Sequence, residues 1–422
     1  MFRNKAIIGA AEFGSDKITV LLGESLPDGG LTVIGSGEAP SKGIVKGEID
    51  NADMVFDQLS LALNDADKMS GGELVNCVMF AVPVSGCDIR SQPGSGAVTI
   101  GNADGRVTND DKVHAYNIAR ACRLDSGRTI LNSCESFFVI DGALRRRNPI
   151  GQSACKLEAR IHLVHGVANR MENFRQQLNS SGFDGPVELV FSPLAAAEGI
   201  LAKEERENGV LLIDIGSGVT DYVLEFNSGV LASGQIPLGM LHLVNDWALG
   251  LDLRTDFCQK LLTDGTLEEA MRGQREFLEV PAAGGKIRRI PLSSFETIAD
   301  LRLREMLEIV RSSMEPDTLD LINSGTVVTG GGALFSPVLQ TVREVFPGTV
   351  RVGCPADLAG SVTGLDNPRK GAVWGALRYA DFYFRCYAGG DSTLGQKMRD
   401  AGDSVKRFFR GIRGNMRDSF KF

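Results

Sequence analysis

The sequence predicts an α/β protein built from two related halves, and three observations predict it. Near the N-terminus a strand-turn-strand-turn-strand pattern runs through Ala6 to Ala11, Glu12-Phe13-Gly14-Ser15, Lys17 to Leu22, an Asp28-Gly29-Gly30 turn and Leu31 to Gly35. About 200 residues later it recurs: Gly209 to Ile213, Asp214-Ile215-Gly216-Ser217-Gly218, Thr220 to Phe226, an Asn227-Ser228-Gly229 turn and Val230-Leu231. The third observation is a glycine run, Gly330-Gly331-Gly332-Ala333, set between the β-branched stretch Val327 to Thr329 and a helix expected from Pro337 to Phe346. With 422 residues, 43% apolar and 23% charged, the chain buries a large core in more than one domain, which excludes whole-chain disorder.

Each turn has a chemical reading. In both halves a carboxylate, Glu12 or Asp214, is followed two residues on by Gly and then Ser. Such a turn presents backbone N–H groups to an anion with no Cβ in the way, and its carboxylate holds a hydrated divalent cation beside phosphates. One such turn is an ordinary hairpin; two at matching places point to phosphate binding. A glycine run at a strand-to-helix junction suits a phosphate or a nucleoside.

Charge and cysteine usage narrow the class. Lys and Arg total 45 against 53 Asp and Glu, a net charge of -8, which excludes a general nucleic-acid binder with a broad basic surface. Eight scattered cysteines form no CxxC or Cys/His ligand spacing and read as buried, reduced thiols of a cytosolic protein. The four histidines, His114, His162, His165 and His242, form no metal or triad pattern. No signal peptide is legible, and the uncharged windows Phe226 to Asn245 and Leu321 to Val342 carry too many polar residues for transmembrane helices.

The C-terminus differs from the body. Tyr387 to Ser404 is Gly-, Ser- and charge-rich and reads as a tether. Beyond it, at roughly 100° per residue, Val405, Phe408, Phe409, Ile412, Met416 and Phe420 share an arc of about 120°. Lys406, Arg407, Arg410, Arg413, Arg417 and Lys421 fill the adjoining arc, opposed by one acid, Asp418. This pattern predicts an amphipathic helix that inserts into an anionic bilayer surface.

The two acidic turns and the glycine run, in that order, resemble the phosphate-1, phosphate-2 and adenosine motifs of the actin, Hsp70 and sugar-kinase superfamily, and within it the FtsA family. Pro40 to Gly47 resembles its PSxGxxKG stretch, Asp214 to Asp221 its DIGGGTTD, Gly239 to Ala248 its GGxHVTNDIA, and Arg351 to Pro355 and Pro368 to Tyr379 its last two segments. The cell-division branch is further marked by the stretch from Val84 to about His165, which is similar to that family's relocated IC subdomain.

The resemblance implies an actin-like, duplicated RNase H-like fold with an FtsA-type IC insertion and a C-terminal amphipathic helix. The expected organisation is subdomain IA at 1–83 and 166–200, IC at 84–165, IIA at 201–235 and 311–386, IIB at 236–310, a linker at 387–404 and the helix at 405–422. It implies ATP and Mg²⁺ as cofactors, with nucleotide bound by Gly14, Ser15, Lys17, Asp214, Gly216, Ser217, Gly218, Thr220, Lys260, Gly330, Gly331, Gly332 and Ala333. Glu12 and Asp214 are expected to hold Mg²⁺ through water. Arg302 and Arg304 are expected to bind the FtsZ C-terminal peptide.

The implied role is a cell-division protein that polymerises on the cytoplasmic face of the inner membrane at the division site and anchors FtsZ filaments there. Its implied partners are itself, FtsZ, anionic lipids and other divisome proteins. Two departures matter: Ser192 replaces the Glu that positions hydrolytic water, leaving at most a weak ATPase with Glu198 a poor substitute, and Phe257 replaces an acid expected at the ribose. The alternatives are a PilM-like soluble pilus scaffold and a small-molecule kinase of the same superfamily.

Overall fold

The computed structural model describes residues 6–26, 29–281, 287–360 and 362–388. The predicted membrane helix at 405–422 and all but the first two residues of the linker lie outside the described residues.

Two five-stranded sheets repeat one topology. The first is ordered Val187–Phe191, Cys77–Val84, Ala6–Phe13, Lys17–Ser25, Leu31–Pro40. The second runs Val350–Val352, Thr326–Thr329, Val210–Ile215, Thr220–Phe226, Gly229–Ile236. In each, three antiparallel strands of a local meander are extended by two parallel strands reached through crossovers. The central strands Ala6–Phe13 and Val210–Ile215 are apolar almost throughout because both faces are covered. Glu12 and Asp214 each stand last but one in these strands, opposite Thr19 and Asp221 respectively.

Helices close the layers. Ala52–Ser70 starts where the Asn51 side chain accepts the Met54 N–H and stops at Gly71 in the left-handed region. A Cβ on Gly37 would lie 1.9 Å from the carbonyl oxygen of Ala62, so glycine lets this helix approach its strand. Ser192–Ile200 and Gly371–Ala388 cross tightly at Gly199 and Gly375. The latter helix, which the sequence grouped with 311–386 of the second half and whose last two residues it placed in the linker, lies against strands of the first sheet. Its apolar face, with Ala372, Val373, Trp374, Leu377 and Ala380, completes the first core rather than the second.

The insertion is a four-stranded antiparallel sheet, ordered Arg90–Thr99, Lys156–Val167, Arg128–Ile140, Leu144–Arg146, covered by the helix Asn109–Arg120 around its own core. Polar contacts join it to Gly229–Ile236 of the second sheet and the turn before that strand: Ser91 Oγ to Ser233 Oγ at 3.0 Å, Gly86 N–H to Gln235 Oε1 at 2.9 Å, and Arg147 Nη2 to the Ser228 carbonyl at 3.1 Å. Among the described residues the cysteines are unbridged; Cys87, Cys134 and Cys258 are buried, whereas Cys155 is exposed, contrary to the expectation of uniform burial. No described helix is long and apolar enough to cross a membrane.

Candidate functional site

The two acidic turns face one another across a cavity of about 400 Å³. Each is closed by the same hydrogen bond, from Gly14 N–H to the Lys17 carbonyl at 3.1 Å and from Gly216 N–H to the Val219 carbonyl at 3.0 Å. They nearly touch: a Cβ on Gly218 would lie 2.8 Å from Ser15 Oγ, which itself accepts the Gly47 N–H at 3.1 Å. The glycine run forms the third wall. Gly330 has φ +81°, and a Cβ there would lie 2.2 Å from Asp214 Oδ1, so glycine alone lets this loop reach the second turn.

Of the expected nucleotide ligands, Gly14, Ser15, Lys17, Asp214, Gly216, Ser217, Gly218, Gly330, Gly331 and Gly332 line the cavity, as does Glu12. Three are not among its lining residues. Thr220 is buried with its hydroxyl on the Leu238 carbonyl, 2.9 Å away, and Ala333 is packed in the second core. Lys260 is exposed on the helix Thr255–Thr263. That helix presents Gln259, Leu262 and Thr263 to the cavity instead, because Phe257, Cys258 and Leu261 turn into the apolar core. Ser192 lines the cavity at the start of Ser192–Ile200; Glu198 does not, and pairs with buried Arg206 at 3.4 Å.

Charge is concentrated under the turns. Burial, reinforced by the nearby Asp214 carboxylate, pushes Glu12 up to about 7. Burial likewise pushes Asp214 up to about 6. Asp221, which accepts a hydrogen bond from Ser85 Oγ across the cleft floor, is also driven well above its ordinary value by burial. Glu12 Oε2 and Asp221 Oδ1 are buried with no hydrogen-bond partner among the described residues. On the cationic side, Lys17 meets Glu38 at 2.7 Å, and Lys370 meets the same carboxylate. Burial, then the charge of Lys17, lowers Lys370 to about 7.

Sequence reasoning passed over Ser85, Asp221, Gln259, Asp264, Glu268 and Arg369, all of which line the cavity. Asp221 had a local signal, its place opposite Asp214 in the hairpin. The others arrive from distant segments and had none. The cavity also has an apolar lining of Met240, Leu241, Val244, Leu262, Leu334 and Phe335, together with the acids Asp264 and Glu268.

Residues 86–165 match the family model described as the SHS2 domain inserted in FtsA, which are the residues of the insertion sheet. Across the chain, the similarity extends to the cell division protein FtsA of Neisseria meningitidis serogroup B, 27% identical over 384 residues, covering 90% of this chain and 91% of the relative. The chain is related to the FtsA cell division proteins. FtsA of Borreliella burgdorferi is 28% identical over 383 residues (90% of this chain, 91% of the relative), and FtsA of Escherichia coli K12 is 26% identical over 385 (89% and 90%).

Solved structures share the fold. A PilM-PilN type IV pilus biogenesis complex matches with TM-score 0.59 at 14% identity, over 90% of this chain and 99% of that one. MreB5 of Spiroplasma citri bound to ADP matches with TM-score 0.53 at 12% identity, over 91% and 99%. At these identities they establish an actin-like architecture and nothing finer. The FtsA relationship supports an actin-like role in cell division and does not favour the pilus-scaffold or kinase alternatives.

Arg302 and Arg304, the expected peptide contacts, lie on the helix Leu292–Ser312. Arg302 bonds Asp246 at 2.5 and 3.0 Å and also meets Glu305; Arg304 bonds Asp300 at 3.2 Å and also meets Glu344. Each therefore shares its guanidinium with the chain's own carboxylates.

Proposed function

We propose that the chain binds ATP in the interdomain cleft, polymerises on the cytoplasmic face of the membrane and anchors FtsZ filaments there at the division site. The observation that carries the nucleotide reading is the pair of equivalent turns meeting across one cavity under a glycine loop. Backbone N–H groups of Ser15, Ser217 and Gly218 hold phosphates, those of Gly14 and Gly216 being engaged in closing the turns; Lys17 adds charge, and the apolar lining takes the base.

Glu12 and Asp214 fit a hydrated Mg²⁺. Both are partly buried carboxylates whose charged form their surroundings disfavour, and Glu12 Oε2 lacks a donor among the described residues. Bound there, the cation supplies positive charge that screens these acids from the phosphates. Ser192 offers no carboxylate to activate water, so turnover is slow or absent. MreB5 of Spiroplasma citri, bound to ADP in one structure and AMPPNP in another, supports nucleotide binding by the same fold.

In this reading the units are IA (1–83, 166–200), IC (84–165), IIA (201–235, 311–386, less the terminal helix that joins the first core) and IIB (236–310). The segment from Val405 to Phe422 binds anionic lipid, and Arg302 and Arg304 meet the acidic FtsZ peptide by exchanging their internal carboxylates. The deciding experiment is cosedimentation with anionic liposomes, with and without ATP and Mg²⁺, of the full chain and one ending at Ser404, followed by negative-stain imaging. Pelleting that requires the tail, with filaments on the lipid, is expected. Equal pelleting of both chains, or of neither, removes the anchor.

A further inference from the structure

Arg369 reaches the cleft from the end of the sequence. Its backbone is pinned: the Pro368 carbonyl accepts the Gly330 N–H at 3.1 Å and Thr329 Oγ1 at 2.9 Å, and Asn367 Oδ1 accepts the Arg369 N–H at 3.0 Å. The residue is thereby fixed to the foot of the glycine loop. Its side chain then crosses the opening. Arg369 Nε lies 3.7 Å from where a Cβ on Gly331 would stand, and Nη1 lies 3.7 Å from Asp16 Oδ2 in the first turn.

The guanidinium is underused in this position. Its distance to Asp16 exceeds hydrogen-bond length, and Nε is buried with no partner among the described residues. A buried N–H without an acceptor is unfavourable, and an anion entering the cavity relieves it. The neighbouring cations differ, because Lys17 and Lys370 both rest on Glu38. Of the three cations at the first turn, Arg369 is the one poised to turn to a ligand. A planar fork of N–H donors matches two oxygens of a phosphate.

We propose that Arg369 is a phosphate-binding residue that clasps the nucleotide between the first turn and the glycine loop, an inference that rests on the nucleotide-binding reading above. Asp16 holds the guanidinium loosely, at 3.7 Å, and gives it up to phosphate. Ligand entry thus ties together two segments contributed by opposite halves of the molecule.

The test is calorimetric binding of ATP, ADP and adenosine, with Mg²⁺, to the full chain and to Arg369→Met, Arg369→Lys and Asp16→Asn. Arg369→Met is expected to weaken ATP and ADP about tenfold or more and to leave adenosine within about twofold. Arg369→Lys recovers part of the loss, since it keeps the charge without the fork. Asp16→Asn releases the guanidinium and tightens ATP.

Unchanged ATP affinity in Arg369→Met overturns the clasp while leaving nucleotide binding intact. Equal losses for ATP and adenosine overturn it too, because they mark a structural role. Should Arg369→Met not fold, Asp16→Asn still decides, and weaker or unaltered ATP binding there overturns the proposal. Failure of the wild-type chain to bind any of the three ligands removes the underlying reading itself.

Discussion

Glu12 shows how one side chain couples the cleft to folding. Its carboxyl titrates near 7 rather than 4.5 because burial and Asp214 both disfavour the charged form. The stabilising contribution of the neutral acid is therefore complete below about pH 4.5 and is lost as pH rises through about 7. Asp214 behaves alike between 3.8 and about 6. Glu12→Gln, which cannot ionise, is expected to stabilise the cation-free chain at pH 8 by on the order of 1 kcal/mol and to give no gain at pH 4. Thermal melts at the two pH values, without divalent cation, check this. A Mg²⁺ addition that raises the melting temperature of wild type but not of Glu12→Gln would further place the cation at this carboxylate.

Between elements, the tightest constraint is the crossing of Ser192–Ile200 with Gly371–Ala388. A Cβ on Gly375 would lie 1.7 Å from the Ala195 carbonyl oxygen, and one on Gly199 would lie 2.9 Å from the Gly375 nitrogen. Alanine in a helix interior gains roughly 1 kcal/mol over glycine, but overpacking at a backbone contact costs up to about 3 kcal/mol, so the clash wins. Gly375→Ala is expected to lower stability by about 2 kcal/mol in denaturant unfolding, whereas an alanine at exposed Gly71, whose site is sterically open, loses only what its left-handed backbone demands. This crossing also marks where sequence reading stops. The hairpins were legible because turn residues and strand alternation are local, and the glycine run because its neighbours announce strand and helix. The partner of a terminal helix is not local: Gly371–Ala388 reads as second-half sequence yet packs on the first sheet. Helix phase has the same limit. Lys260 and Gln259 are adjacent, and only burial of Phe257, Cys258 and Leu261 decides that Gln259 faces the cavity.

For the molecule as a whole, charge is divided unevenly. The chain carries net -8, yet its last eighteen residues hold six basic residues and a single acid, so the body is more acidic than the total. An acidic body is repelled by an anionic bilayer, and the repulsion reaches about a Debye length, roughly 10 Å at 0.1 M salt. If the chain sits on such a bilayer as proposed, the tail supplies both attraction and distance. In the proposed membrane-bound role, its six cations supply the attraction, its phenylalanines supply apolar burial that salt does not weaken, and the segment 387–404 supplies the distance. The two contributions separate experimentally. Raising salt from about 0.05 to about 0.5 M should weaken pelleting with anionic liposomes severalfold, as screening removes the cationic share. Phe408→Ser with Phe409→Ser should abolish binding at both salt concentrations, because the proposed anchor needs apolar burial as well as charge attraction. Shortening the linker while keeping Val405 to Phe422 should weaken binding mainly at low salt, where repulsion between body and bilayer is strongest. Salt-independent pelleting would instead assign the anchor wholly to apolar burial and leave the six cations without a membrane role.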